Sequence, residues 1–239
     1  MSDKKNIVVL TGAGISAESG IQTFRGSDGL WEGHNVMDVA SPQGWRKDPA
    51  MVLEFYNQRR LAAYNAYPNE GHKQIALHDQ DFNISIVTQN VDTLHEEAGS
   101  RNILHLHGKI DESRSSVNPN DIYRADPKEG IQIGDRCRRG SQLRPNIVWF
   151  GEDVPNIVPA SKLVKKADAL IIVGTSMQVY PAAGLIDFLS TDNPIVFVDP
   201  HPSELPGYTW PVQYIKQPAT TGVLEAFNWL KKYFKERQC

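Results

Sequence analysis

Short runs dominated by β-branched and other apolar residues recur at Asn6–Leu10, Asn83–Thr88, Ile103–Leu106, Ile147–Phe150, Ala169–Val173 and Ile195–Val198. A run apolar at nearly every position marks a strand buried on both faces, as in a parallel sheet. Segments with helical spacing lie between these runs, at Thr93–Ala98, Ala160–Lys166 and Ala182–Leu189, and Ser16–Ser19 is placed to open a helix after the first strand. The tail Val223–Arg237 is amphipathic: Val223, Leu224, Phe227, Leu230, Tyr233 and Phe234 share one side, and Lys231, Lys232, Lys235, Glu236 and Arg237 fall mostly on the other. Strands alternating with helices predict an α/β fold, a doubly wound parallel sheet of Rossmann-like type.

Two stretches break the alternation. Residues 31–80 carry Trp31, Trp45, Phe55, Tyr56, Tyr64 and Tyr67, with helical spacing over Pro49–Tyr67. Residues 108–143 lose apolar content and fill with Ser, Arg, Asp, Asn, Gly and Pro, which predicts a second insertion with little core of its own. The expected organisation is a nucleotide-binding domain from 1–30, 81–107 and 144–239, with 31–80 and 108–143 forming a smaller lobe. Ligands of doubly wound sheets bind at the carboxyl ends of the strands, and a lobe inserted there creates a cleft.

Composition removes several function classes. The 239 residues hold 25 Lys+Arg against 28 Asp+Glu, a net charge of −3, so there is no basic excess for nucleic acid. The longest apolar runs fall far short of the roughly 20 residues of a spanning helix, so no membrane partner is expected. The basic start MSDKK leads into too few apolar residues for a secretion signal. Two cysteines, Cys137 and Cys239, make no disulfide framework and no four-cysteine zinc site, and a cytoplasmic setting is expected.

Four polar loops follow predicted strands. Gly12-Ala13-Gly14-Ile15-Ser16-Ala17 fits the G-x-G-x-x-G/A turn, in which glycines let the backbone approach a pyrophosphate. A plain strand-to-helix turn gives the same letters, and the acidic residue of a dehydrogenase, about 20 residues on, is missing. Gln89-Asn90-Val91-Asp92 sets polar groups at the next strand end, suited to a carboxamide or ribose; an Asx turn with Asp92 as helix cap fits equally. His105-x-His107-Gly108 places a histidine at a third strand end, where it can act as a general base near neutral pH. Gly174-Thr175-Ser176 is the fourth.

Together these residues resemble the sirtuin family of NAD-dependent protein deacylases. The resemblance spans nearly the whole chain: Gly12–Ser16, Ser19–Arg25, Gly29–Trp31, Gln89–Asp92, His107-Gly108, Leu143–Pro145, Val148–Glu152 and Gly174–Ser176 stand in the family's order. Gln22 replaces a frequent Pro, and Val91 a frequent Ile. The resemblance implies that NAD is consumed as co-substrate. The acyl oxygen of a modified lysine attacks the ribose carbon, nicotinamide leaves, and O-acyl-ADP-ribose and free lysine form. His107 would be the general base and Asn90 would position the ribose and a water. Asp92 and Val91 would hold the carboxamide, Gln89 a ribose hydroxyl, Phe24 would shield the centre and Arg25 order the cofactor loop. Trp31 stands in the cofactor set too. Gly12, Ala13, Gly14, Ile15, Ser16 and Gly174, Thr175, Ser176 would hold the phosphates and the adenine-side ribose, with Asp199 and Thr220 also on the adenine side; a structural turn fits Asp199 equally. Val148, Phe150, Gly151 and Glu152 would flank the substrate peptide as a strand.

Tyr56 and Arg59, at i and i+3, share a helix face, and Arg59 offers a cationic fork for a carboxylate. With Ala40 sixteen residues before Tyr56, the pair resembles the sirtuin class that removes succinyl and malonyl groups. The alternative places Tyr56 in the core and Arg59 and Arg60 on a solvated face. The sequence departs from the family where two Cys-x-x-Cys pairs of a zinc ribbon usually stand; only Cys137 remains, so no metal is expected. Asp111, Glu112, Asp121, Asp126 and Asp135 are then expected to pair with Arg114, Arg124, Arg136, Arg138 and Arg139. Acyl-lysine proteins are the expected partners. Mono-ADP-ribosyl transfer or NAD hydrolysis is the competing enzymatic reading, and an NAD-sensing module the non-enzymatic one.

Overall fold

The computed structural model describes residues 4–22, 30–31, 33–205 and 211–237. In chain order the strands are β1 (Asn6–Thr11), β2 (Leu30–Trp31), β3 (His34–Asn35), β4 (Asn83–Thr88), β5 (Ile103–His105), β6 (Gly108–Ser115), β7 (Ile122–Arg124), β8 (Leu143–Ile147), β9 (Ala169–Val173), β10 (Ile195–Val198) and β11 (Val212–Ile215). The α-helices are α1 (Val36–Val39), α2 (Pro42–Lys47), α3 (Pro49–Asn65), α4 (Glu70–Leu77), α5 (Leu94–Glu97), α6 (Ile157–Lys165) and α7 (Ala219–Glu236).

Six strands form a parallel sheet in the order β11-β10-β9-β1-β4-β5. Successive side chains alternate between its two faces, and both faces are covered, which is why the strands read as continuous apolar runs. Ile7, Val9, Ile84, Ile86, Ile171 and Val198 pack with Val223, Phe227 and Leu230 of α7. Val8, Leu10, Leu170, Ile172 and Phe197 pack with Ala160 and Val164 of α6. The connection reverses direction at β1, whose neighbours are β4 and β9, so the loops after these strands share one crevice.

Local readings changed in three places. Two 3₁₀ turns, Ala13–Ile15 and Ala17–Ser19, stand where an α-helix was expected to open, and Ala182–Phe188 is 3₁₀ as well. The strand expected at Ile147–Phe150 is instead β8, ending at Ile147 and pairing antiparallel with β6 in the sheet β7-β6-β8. Trp149–Glu152 turns back immediately, with Glu152 N–H donating to Trp149 O at 3.0 Å. In the other insertion, Asp48 caps α3 by accepting from Met51 N at 2.9 Å, and Pro49 occupies its first turn.

The small sheet is held differently from the expected charge ladder. Glu152 pairs with Arg114 at 3.0 Å and Arg144 at 2.7 Å. Arg144 also stacks on Trp149, 3.1 Å from the ring centre, and donates to Ile147 O. The acids of 108–143 accept N–H groups: Asp126 from Lys128 and Glu129, Asp135 from Gln132, and Glu112 from Asn146. Polar N–H partners, local ones for Asp126 and Asp135, win because long exposed side chains lose entropy for little Coulomb gain. Cys137 is buried and free; Cys239 lies outside the described residues.

Candidate active site

The loop after β1 docks on the loop after β9. Gly12 N donates to Val173 O at 3.0 Å and Gly14 N to Gly174 O at 2.8 Å, while the Ile15 side chain is anchored in the core and Ala13 stays half-buried. Thr175 Oγ1 accepts from Gln89 Nε2 at 3.1 Å, tying the β9 and β4 loops together; Ser176 is exposed. Asp199 accepts from His201 N at 2.8 Å, the Asx turn that its setting allowed. Thr220 Oγ1 donates to Glu18 at 2.9 Å and so joins the start of α7 to the first loop. The expectations for Phe24 and Arg25 fall outside the described residues.

Ser16 is the hub of the polar floor. Its hydroxyl donates to Asp92 Oδ2 at 3.0 Å and accepts from Asn90 Nδ2 at 3.1 Å. Asp92 Oδ1 accepts from Leu94 N at 3.1 Å, so the cap and the site contact coexist in one carboxyl group. Burial raises the Asp92 pKa, and the bonds from Leu94 and Ser16 oppose the rise. Val91 O accepts from Ile110 N, which seats this segment against β6.

His107 follows the end of β5, and its Nδ1 lies 3.0 Å from Gln89 O. A carbonyl only accepts, so Nδ1 carries the proton and Nε2 keeps its lone pair. Burial lowers the His107 pKa, against the raising effect of the Gln89 contact, so the neutral base form is favoured. Gly108 has φ +81°, and any Cβ there would overlap Asn146 O, which explains a glycine directly after this histidine.

Beneath the floor are groups that sequence reasoning missed. His95 Nε2 lies 3.0 Å from Thr11 Oγ1, which donates to Thr88 Oγ1 at 2.8 Å; Asn90 N also donates to Thr88 Oγ1, at 3.0 Å. His72 meets His95 edge to face at 4.9 Å and approaches Ser16 Oγ at 3.5 Å. Burial lowers their pKa values to about 4 for His72 and about 3 for His95, so both are neutral at physiological pH. These histidines lie on different helices, and no local spacing connects them.

At the lobe side, Ala40 is buried with Val52, Phe55, Tyr56 and Trp149, and Ala40 O accepts from Phe150 N at 3.0 Å. Tyr56 is 1 % exposed, and its hydroxyl accepts from Trp149 Nε1 at 3.1 Å, leaving its own proton to donate. The Arg59 guanidinium lies over Trp31 at 4.2 Å and near Phe55 at 5.5 Å. Trp31, expected among the cofactor residues, therefore stands against Arg59 and Phe55. Arg60, read as surface with Arg59 in the alternative, is 1 % exposed and donates to Ile110 O and Asn57 Oδ1. Val148 N donates to His107 O at 2.9 Å, Phe150 is exposed and Gly151 has φ +87°. The Glu152 carboxylate is committed to the two arginines and to Trp149 N. Among the described residues no cluster of three or more His, Cys, Asp or Glu could hold a metal.

The sequence profile described as the Sir2 family matches residues 12–181. The chain is 55 % identical over 196 residues to a protein of Helicobacter pylori named NAD-dependent protein deacylase, covering 82 % of this chain and 85 % of that one. It is 50 % identical over 202 residues to a Bacteroides thetaiotaomicron protein of the same name, covering 83 % and 86 %. Among solved structures, a complex of a Sir2 homolog with NAD aligns with a TM-score of 0.83 at 37 % identity, over 96 % of this chain and 91 % of that one. Profile, relatives and shared architecture agree, and the chain belongs to the Sir2 family.

Proposed function

We propose that this chain removes acyl groups from protein lysines while consuming NAD, and yields nicotinamide, free lysine and O-acyl-ADP-ribose. The observation that carries the reading is the assembly of His107, Gln89, Asn90, Ser16 and Asp92 at one crevice, with the His107 proton fixed on Nδ1. The donor set suits NAD: the carboxamides of Gln89 and Asn90, the hydroxyls of Ser16 and Thr175, and glycine loops that leave only backbone at the surface. NAD supplies the electrophilic ribose carbon and the nicotinamide leaving group. His107 Nε2 takes the proton of a ribose hydroxyl, Asn90 orients the ribose and the water that completes the reaction, and Asp92 holds the carboxamide. Trp149–Glu152, braced by Arg114 and Arg144, supports the peptide; a solved Sir2–p53 peptide–NAD⁺ complex aligns with a TM-score of 0.77 at 29 % identity.

We also propose that succinyl and malonyl groups are accepted beside acetyl. Ala40 leaves room, Tyr56 keeps a proton to donate, and the aromatic faces of Trp31 and Phe55 hold Arg59 as a cationic fork. The small lobe folds without zinc in this reading, because the Arg114–Glu152–Arg144 cluster bridges β6 to β8 and the turn beyond it.

Mass spectrometry of products from NAD and an acetyl-lysine peptide tests the central reading. O-acetyl-ADP-ribose is expected. Free ADP-ribose alone would assign NAD hydrolysis or ADP-ribosyl transfer, and binding without turnover would assign an NAD sensor.

A further inference from the structure

The peptide that carries Asn90 is held from behind by an ion pair outside the reaction described above. Asn90 O lies 3.0 Å from His105 Nδ1, and His105 Nε2 lies 2.9 Å from Glu96 Oε1. Both partners only accept, so each contact calls for an N–H on the ring, and the imidazole bridges the Asn90 carbonyl to a carboxylate. Glu96 takes a second ion pair from Lys109 Nζ at 2.9 Å. Burial alone would raise the Glu96 carboxyl, but the contacts of His105 and then Lys109 outweigh it and hold the group at about 2. His105 is buried, and its own carbonyl accepts from Asn156 Nδ2 at 2.7 Å. Glu96 and Lys109 line a surface cavity of about 680 Å³. The pair thus runs from that cavity to the main chain of the site.

The other side of the same residue is fixed as well, since Asn90 N donates to Thr88 Oγ1. With N–H and C=O both held, the Asn90 carboxamide has one direction of approach to Ser16 and the crevice. Losing the carboxylate leaves His105 Nε2 without its acceptor, so the ring is anchored only through Asn90 O and no longer holds that peptide in place.

We propose that Glu96 and His105 are positioning residues for Asn90, acting through the Asn90 carbonyl. The inference rests on the role given to Asn90 above. It predicts a loss in turnover rather than in peptide affinity, because the acyl-lysine end of the site lies on α3 and the Trp149–Glu152 turn.

Steady-state kinetics of the full chain with NAD and an acetyl-lysine peptide test it, with melting curves beside them. Glu96→Ala should lower kcat about ten-fold or more and move the peptide KM less than about two-fold, the scale expected when a reacting group is misplaced from a distance. Glu96→Gln should recover most of the rate, since its amide donates to Nε2 and keeps the proton on Nδ1. Glu96→Ser replaces the alanine variant should that one not fold. Wild-type kcat in Glu96→Ala beside an inactive Asn90→Ala overturns the relay alone, as does a glutamine variant no faster than alanine. An active Asn90→Ala overturns the reading beneath it.

Discussion

Gly14 and Gly174 meet backbone to backbone across the carboxyl edge of the sheet. Gly14 N–H donates to Gly174 O at 2.8 Å, and a Cβ on Gly14 would lie 2.6 Å from Gly174 Cα. Gly174 also has φ +61°, where side chains are strained. Each loop therefore needs the other's missing side chain.

Alanine at either position should push the loops apart, at about 1–3 kcal/mol of stability. More tellingly, the rise in Tm on adding NAD should shrink or vanish. Thermal melts with and without NAD check this, and a full NAD-induced shift in Gly14→Ala would remove the loop from the binding site.

His107 should set the acid limb of the kcat/KM profile. The base works when neutral, so activity rises with pH through its pKa and then levels. Burial lowers that pKa below the ordinary 6.5, so the limb lies on the acid side of 6.5. His107→Gln should remove the limb and about 10²–10⁴ of the rate.

Arg59→Met and Tyr56→Phe should lower the ratio of desuccinylation to deacetylation. A charge-assisted hydrogen bond of about 1.5–3 kcal/mol corresponds to a ratio falling about ten- to hundred-fold for Arg59→Met. Paired peptides assayed under one condition give the ratio, and an unchanged value sinks the acyl-carboxylate role.

Acid should destabilise the fold through His72 and His95. Unfolded, each titrates near 6.5; folded, at about 4 and about 3. Below pH 6.5 the unfolded chain binds protons that the folded chain refuses, so stability falls with pH until those folded values are reached. Between pH 6.5 and 4.5 each contributes on the order of 2–3 kcal/mol to this loss. Denaturant melts from pH 7 to 4.5 should show a shallower fall for His72→Gln than for wild type; parallel curves would contradict it.

Glu152→Gln should cost about 3 kcal/mol, because two buried arginines lose their counter-charge. A chelator should leave Tm unchanged, and metal analysis should find no stoichiometric zinc. One zinc per chain would overturn the charge-cluster account of the small lobe.

Strands with both faces buried were legible because continuous apolar runs such as Ala169–Val173 have few other uses. The loops after them were legible for a similar reason: Gly12–Ser16 and Gln89–Asp92 put unusual polar letters at strand ends. The 3₁₀ turns after Gly12 were not, since that choice depends on docking against Gly174, 160 residues away in the chain. Nor was β8 (Leu143–Ile147): a parallel strand was expected at Ile147–Phe150, where the chain instead leaves its pairing with β6 and turns back at Trp149–Glu152.

Local pattern determined the doubly wound sheet and the order of the loops at its carboxyl edge that carry His107, Asn90 and Asp92, because periodicity and short motifs act over a few residues. Tertiary structure alone decided how these groups are held: Ser16 between Asn90 and Asp92, His105 between Asn90 O and Glu96, and Glu152 between Arg114 and Arg144. Nearly all of those contacts join separate elements. Hydrogen bonds and ion pairs in a buried site depend on distance in space, and a sequence records only distance along the chain.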